Sequence, residues 1–443
     1  MDSSFQGRLS RFFIFSARLF FALTIFFIPF RWRWMVWQRP FFPIYADYTD
    51  FLLFISDLSM LYMLMFWACS LLLFPRKLKA GPALMWLSLV GLTIAAWVSV
   101  LGSVDGIFSR YQAVRFILLL MFYLFIVNEV KSAGWVIVPV AAQILFQSGI
   151  AVSQVMAQSS LGLQRLGELQ LNPADSGVSI VLGEGIRFLR GYGLSDHPNI
   201  LGGCIAFGLV LLLAVSMFGE GRQPLLASMV FLIAFPALVM TFSRSAWLSL
   251  FVAGSFMVGI EAFARKWDSV KRALLLGVLS LLAVMPFIQK YDFLFISRVN
   301  SGSVAQDDPM KERAFLLEAG NTLFVEHSAI GIGLGAAPLA MKERFVDFPL
   351  NFQPPHYAIL VAAMETGVLG GIFYFLLLVI PILTVFFRWD ELSRWPALAG
   401  AFGLLLALTV VGFFDYYTWF YSYGQAWQWL GWGLYSAAME TTA

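Results

Sequence analysis

Three histidines, a few arginines and a thin set of acids are the residues of this 443-residue chain whose types could do chemistry. The histidines are His197, His327 and His356. His356 follows Gln353-Pro354-Pro355 and opens the apolar stretch Tyr357-Ala358-Ile359-Leu360. The proline pair fixes the backbone, so this spacing holds an imidazole at a water–lipid boundary, where it can take up or release a proton near neutral pH. A helix-start histidine facing water is the plain alternative. Glu365 lies nine residues further on; that is two and a half helical turns, so it is not a direct partner of His356 along one face. His197, in Ser195-Asp196-His197-Pro198-Asn199, is a secondary candidate, as is Glu365.

Arg190 sits in Arg187-Phe188-Leu189-Arg190-Gly191-Tyr192-Gly193, and Arg244 in Thr241-Phe242-Ser243-Arg244-Ser245-Ala246-Trp247, between two apolar runs with almost no loop. An arginine so close to hydrocarbon is costly unless it is paired or lines a wet cavity. Snorkelling to headgroups is one reading. The other is a phosphate ligand, since the planar guanidinium fork matches phosphate oxygens bidentately. Gly331-Ile332-Gly333-Leu334-Gly335 does not follow a strand of a βαβ unit, which rejects a dinucleotide fingerprint. It reads as a turn ending a helix, with an anion-binding backbone nest as the alternative. The clusters Trp32/Trp34/Trp37 and Tyr416/Tyr417/Trp419/Tyr421/Tyr423 fit an interfacial aromatic belt, or a surface for stacking sugars. The acids Asp47, Asp50, Asp105, Asp175, Asp196 and Asp415 form no metal-binding motif, so no metal and no cofactor is expected.

The elements that must carry these residues are set by composition. The chain is 60% hydrophobic and 12% charged, with mean hydropathy +0.79. A soluble fold could not hide so much apolar surface, so the solvent for most of it is lipid. A net charge of +3 is too small to imply a nucleic-acid partner. Cys69 and Cys204 both lie inside apolar runs and read as small packing residues.

The expected fold is all-α: a polytopic transmembrane bundle of about 12 spans, each needing roughly 20 apolar residues. The spans are placed near 12–30, 51–74, 82–101, 112–128, 134–157, 199–218, 224–241, 245–263, 271–289, 357–387, 396–414 and 424–439. The first run carries Arg18 and ends in Pro29-Phe30-Arg31-Trp32 instead of a small-residue cleavage site, so it reads as a membrane helix and not a signal peptide. Lysine and arginine clusters such as Arg76/Lys77/Lys79 and Arg265/Lys266/Lys271/Arg272 favour cytoplasmic termini, although Arg31, Arg33 and Arg39 blur the contrast. The whole chain, 1–443, reads as one transmembrane domain with two outer loops, 158–198 and a large one, 290–355. Loops of such length usually hold function or local structure. In the second, Asp308 and Pro309 predict the start of a short amphipathic helix with Phe315, Leu316, Ala319 and Leu323 on one face.

The order of these parts resembles the O-antigen ligase/polymerase superfamily of bacterial inner-membrane glycan transferases. Three segments carry the likeness: Arg190-Gly191 through His197-Pro198-Asn199; Phe242-Ser243-Arg244-Ser245-Ala246-Trp247; and the stretch from Gly331 through His356-Tyr357 to Glu365-Thr366-Gly367 and Leu369-Gly370. Tyr357 departs from the small polar residue the family often has there. The resemblance implies a donor glycan on a polyprenyl, typically undecaprenyl, diphosphate, and a glycan or glycolipid acceptor whose hydroxyl attacks the anomeric carbon without a metal. It implies a site facing the periplasm or exterior of the bacterial cytoplasmic membrane. Carried onto this chain, it makes His356 the loop histidine and Arg190 and Arg244 the paired arginines. The chemistry agrees: a weak hydroxyl nucleophile needs a base, and a diphosphate leaving group needs preorganised positive charge. Arg187 or Arg313 is expected to assist. A secondary transporter or flippase is the competing class, but it would favour broken helices and polar residues at mid-membrane.

Overall fold

The computed structural model describes residues 3–299, 304–345, 348, 351–392 and 394–442. Nearly all the regular structure is helical, as a backbone in hydrocarbon must satisfy its own hydrogen bonds. In chain order the helices are α1 (Ser3–Phe27), α2 (Ile55–Leu73), α3 (Ala83–Val98), α4 (Gly106–Glu129), α5 (Gly134–Ala157), α6 (Pro198–Phe218), α7 (Gln223–Met240), α8 (Arg244–Phe263) and α9 (Trp267–Lys290). Three helices of the large loop follow: α10 (Asp292–Val299), α11 (Val304–Glu326) and α12 (Ala337–Arg344). The chain ends with α13 (Ala358–Phe387), α14 (Trp389–Leu392), α15 (Pro396–Gly412), α16 (Tyr417–Phe420) and α17 (Ser422–Thr442). Two antiparallel hairpins, β1 (Arg33–Trp37) with β2 (Phe51–Phe54) and β3 (Ile180–Gly183) with β4 (Ile186–Leu189), complete it.

Among the described residues, ten helices are long and apolar enough to cross a membrane: α1–α9 and α13. The protein is a multi-pass α-helical membrane protein. The last two expected spans are helices too, but α15 has only 17 residues, and α17 is laced with Gln425, Gln428 and Ser436. Helix α6 is the axis of the bundle: 94% of its apolar window is buried inside the protein, against 22% for α1 and for α9. A helix apolar all round and enclosed by neighbours is a core element; α1 and α9 spend most of their surface on lipid.

Two boundaries moved for identifiable reasons. Helix α4 starts at Gly106 and not near 112, because the Asp105 carboxylate accepts the Phe108 amide at 3.1 Å and caps it. Helix α11 begins at Val304, upstream of Asp308, so Asp308 is not its cap, and at 23 residues it is not short. Its apolar face is largely as expected: Leu316, Ala319 and Leu323 are buried, while Phe315 is 40% exposed and turns to the ring of Phe348. The buried face rides on the entry to α13, where a Cβ on Gly320 would overlap the ring of Pro355.

Helix α13 is interrupted at Gly367, whose φ of 73° and ψ of 179° are open to glycine alone at low cost. The segment after α11 fills the break. Val368 donates its amide to Ser328 O at 2.8 Å, Ile332 to Met364 O at 3.0 Å and Gly333 to Glu365 O at 3.1 Å.

Among the described residues, chain alternation brings the connections 28–54, 99–105, 158–197, 241–243, 291–357 and 413–421 to one end of the bundle. At the other end Glu129 is buried, accepts from Trp67 Nε1 at 3.0 Å and Arg76 Nε at 3.1 Å, and lies 3.7 Å from Arg18.

Candidate active site

At the first of these ends, residues distant in sequence meet. Chain leaving β4 at Leu189 passes over α5 without regular structure. Its amides are held instead by glutamines spaced along one face of that helix and its cap: Leu189 donates to Gln158 Oε1, Gly193 to Gln154 Oε1 and Leu194 to Gln147 Oε1, each at 2.8 Å. Gly191 donates to Met240 O at 3.0 Å, at the end of α7.

This path delivers Arg190 to a buried position. Its Nε donates to Thr241 O at 2.7 Å, Nη1 to Ser179 Oγ at 2.8 Å and Nη2 to Asn199 Oδ1 at 2.6 Å. Asn199, on the first turn of α6, donates from Nδ2 to Asp415 Oδ2 at 3.2 Å. The other carboxylate oxygen, Asp415 Oδ1, lies 3.5 Å from His356 Nδ1. That is an ion-pair distance and not a formed hydrogen bond; Nδ1 is buried and has no hydrogen-bond partner in this arrangement. The imidazole also packs edge-on to Tyr416, with centroids 5.1 Å apart, and Tyr416 in turn shares a hydroxyl–hydroxyl bond with Tyr48 at 2.8 Å.

The electrostatics of Asp415 follow from this company. Burial pushes its carboxyl up, but the close approach of His356, with Arg313 and His197 behind, more than reverses that and holds it below its ordinary value. A carboxylate that stays ionised beside Nδ1 orients the ring and favours the tautomer whose Nε2 is the acceptor.

The remaining predicted residues divide. Arg313, on α11, is near enough to lend positive potential to Asp415. Arg244 is the first residue of α8 and is exposed. The turn before it abuts α6, since a Cβ on Gly202 would lie 2.8 Å from Thr241 Oγ1 and 2.9 Å from Ser243 Cβ. Arg244 thus starts three residues after the carbonyl that accepts from Arg190. His197 caps α6, its Nδ1 accepting the Asn199 amide at 3.1 Å. Arg187 donates to Pro173 O at 2.5 Å and Asp175 O at 3.3 Å, bonds within its own loop. Glu365 is fully buried beneath the site, accepting from Trp419 Nε1 at 2.8 Å and the Ala337 amide at 3.4 Å. At the end of the glycine-rich turn the amides of Gly335 and Ala337 are directed at the side chain of Glu365.

Sequence reading sought the partner of His356 along its own helix and missed Asp415. The available signal was position: a lone acid between the apolar run 396–414 and Tyr416, at a depth where an unpaired carboxylate is expensive. Asn199 and the α5 glutamines gave only the weaker signal of amides inside or beside apolar runs.

The arrangement is a histidine backed by an ionised carboxylate, tied through an asparagine to a buried guanidinium, at the boundary of a membrane bundle. It can move a proton on one side and hold an anion on the other. No curated protein matches the chain. The family model for O-antigen ligase matches residues 227–375, which include Arg244, Arg313, His356 and Glu365 but not Arg190, Asn199 or Asp415. Residues 227–375 are thus similar to the O-antigen ligase family, which supports the likeness read from the residues.

Proposed function

We propose that the protein transfers a glycan from a polyprenyl-diphosphate carrier to an acceptor hydroxyl at the outer face of a bacterial cytoplasmic membrane, with both termini cytoplasmic. The observation that supports this most is the continuous connection His356–Asp415–Asn199–Arg190. His356 is the base. The acceptor oxygen forms a bond to the anomeric carbon as the bond from that carbon to the diphosphate oxygen breaks, and the hydroxyl proton passes to Nε2. Asp415 stabilises the imidazolium that results. Arg190 and Arg244, with Arg313 assisting, take up the charge gathering on the leaving diphosphate. Displacement from the face opposite the leaving group inverts the anomeric configuration. Charge stabilisation by arginine makes the reaction metal-independent in this proposal.

The break in α13 is the feature that favours the competing reading, a transporter or flippase, since such proteins use discontinuous helices. Here the freed backbone bonds to residues 328–333 of the large loop. Glycan transfer therefore accounts for more of the molecule.

The test is to incubate purified protein with a polyprenyl-diphosphate glycan and candidate acceptors, with and without a chelator, and to size the products. Chelator-resistant addition of one block to a lipid core identifies a ligase, and a ladder identifies a polymerase. Absence of transfer to any acceptor, together with alternating access of labels to His356 from both sides, would favour transport.

A further inference from the structure

Resting on the reading that Arg190 binds the donor diphosphate, we infer that Gln154, with Glu168, is a positioning unit that sets the affinity of the site for its diphosphate donor. The side chain of Gln154 is fully buried and uses both ends. Its Oε1 accepts the amides of Gly193 at 2.8 Å and Tyr192 at 3.3 Å. Its Nε2 donates to Gly193 O at 3.0 Å and to Glu168 Oε1 at 2.8 Å. Glu168 is buried as well; the same Oε1 accepts the Leu161 amide at 2.8 Å, and Oε2 accepts that of Leu163 at 2.6 Å.

A carboxylate in the outer loop thereby fixes the rotamer of one membrane glutamine, and that glutamine fixes the backbone two and three residues after Arg190. Gln158 and Gln147 pin the same segment at Leu189 and Leu194. The segment has no strand partner across 190–194, so these side chains substitute for a sheet. The arrangement is more than generic packing because it acts where the arginine leaves the backbone. The guanidinium must meet Thr241 O, Ser179 Oγ and Asn199 Oδ1 at once, and a shift of its Cα by a fraction of an ångström breaks that geometry. Gln143 supplies an internal comparison. It is equally buried, one turn below Gln147 on the same helix, but its amide makes no hydrogen bond to the segment.

The experiment measures donor and acceptor KM and kcat for the full chain in lipid vesicles, using a polyprenyl-diphosphate glycan. The variants are Gln154→Leu, Glu168→Gln, Arg190→Lys, Gln143→Leu and the double variant Gln154→Leu/Arg190→Lys. Gln154→Leu and Glu168→Gln should each raise donor KM about tenfold, with acceptor KM unchanged and Gln143→Leu silent. The double variant should be no worse than Arg190→Lys alone, because both changes disable one contact. Multiplying effects in the double variant, or a Gln143→Leu effect equal to that of Gln154→Leu, would overturn the positioning role. Should Gln154→Leu fail to insert, Glu168→Gln decides the matter by the same split. A silent Arg190→Lys would instead overturn the donor-binding reading, and this inference with it.

Discussion

His356 and Asp415 approach each other from different parts of the chain, Nδ1 to Oδ1, at 3.5 Å across the polar end of the bundle. One residue introduces α13 and the other follows α15, so the pair exists only when those helices are packed. Asp415→Asn keeps the shape and removes the charge. By analogy with other histidine–carboxylate pairs it should lower the transfer rate by about 10²–10³-fold while leaving donor KM nearly unchanged. Full activity in Asp415→Asn, measured by release of polyprenyl diphosphate, would leave the carboxylate with a structural role only.

The same carboxyl predicts an acid-side dependence of stability. Burial opposes its ionisation, but His356, Arg313 and His197 hold its pKa below the ordinary 3.8. Such a group stabilises the fold fully above its unfolded pKa and loses that contribution as pH falls through the lower, folded value. Melting curves in detergent should show a gap between wild type and Asp415→Asn that closes as the pH drops below about 4. A gap that persists unchanged to about pH 2 argues against an ionic interaction.

Gly203 offers a steric test. It lies on α6 where a Cβ would overlap the hydroxyl of Tyr417, two residues beyond Asp415. Gly203→Ala should displace the 415–417 segment, costing about 1–3 kcal/mol in stability and most of the transfer activity. Adding Tyr417→Phe removes the obstructing oxygen and should restore both. Equal melting temperatures for Gly203→Ala and wild type would show that the segment yields without consequence.

Gly367 tests the lock between the large loop and α13. Its φ is 73°, and a Cβ would sit 2.6 Å from Ala329 O. Gly367→Ala should cost about 1–3 kcal/mol and loosen residues 328–333. Faster proteolysis of the large loop in the intact, inserted protein would report it, and unchanged cleavage would argue against the lock.

Much of the fold was legible because lipid leaves few options. Apolar runs of sufficient length located the helices, and lysine and arginine clusters suggested their direction. The exceptions have local causes. Asp105 extended α4 by capping it earlier than hydropathy indicated. The large-loop helix began at Val304, before its apparent cap at Asp308. Inside the apolar runs lie the ion pair between Asp57, in the first turn of α2, and Arg115 at 2.9 Å, and the buried glutamines of α5. Hydropathy averages hide polar groups whose partners come from another helix.

The candidate site was legible as a set of parts. His356, Arg190 and Arg244 stood out because each residue type is costly where it lies. Their arrangement was not readable, since it depends on Asn199 and Asp415, whose pairing spans 216 positions of the chain. Glu365 was visible as an acid near the histidine, but only the structure shows its carboxylate spent on the turn at Ala337 and on Trp419.

The most direct measurement is the initial rate at which reconstituted His356→Ala releases polyprenyl diphosphate from a glycan-charged donor in the presence of acceptor, with insertion and donor binding shown to match wild type. With the base removed, the rate should fall by about 10²–10⁴-fold. A His356→Ala protein that transfers glycan at the wild-type rate would contradict the account.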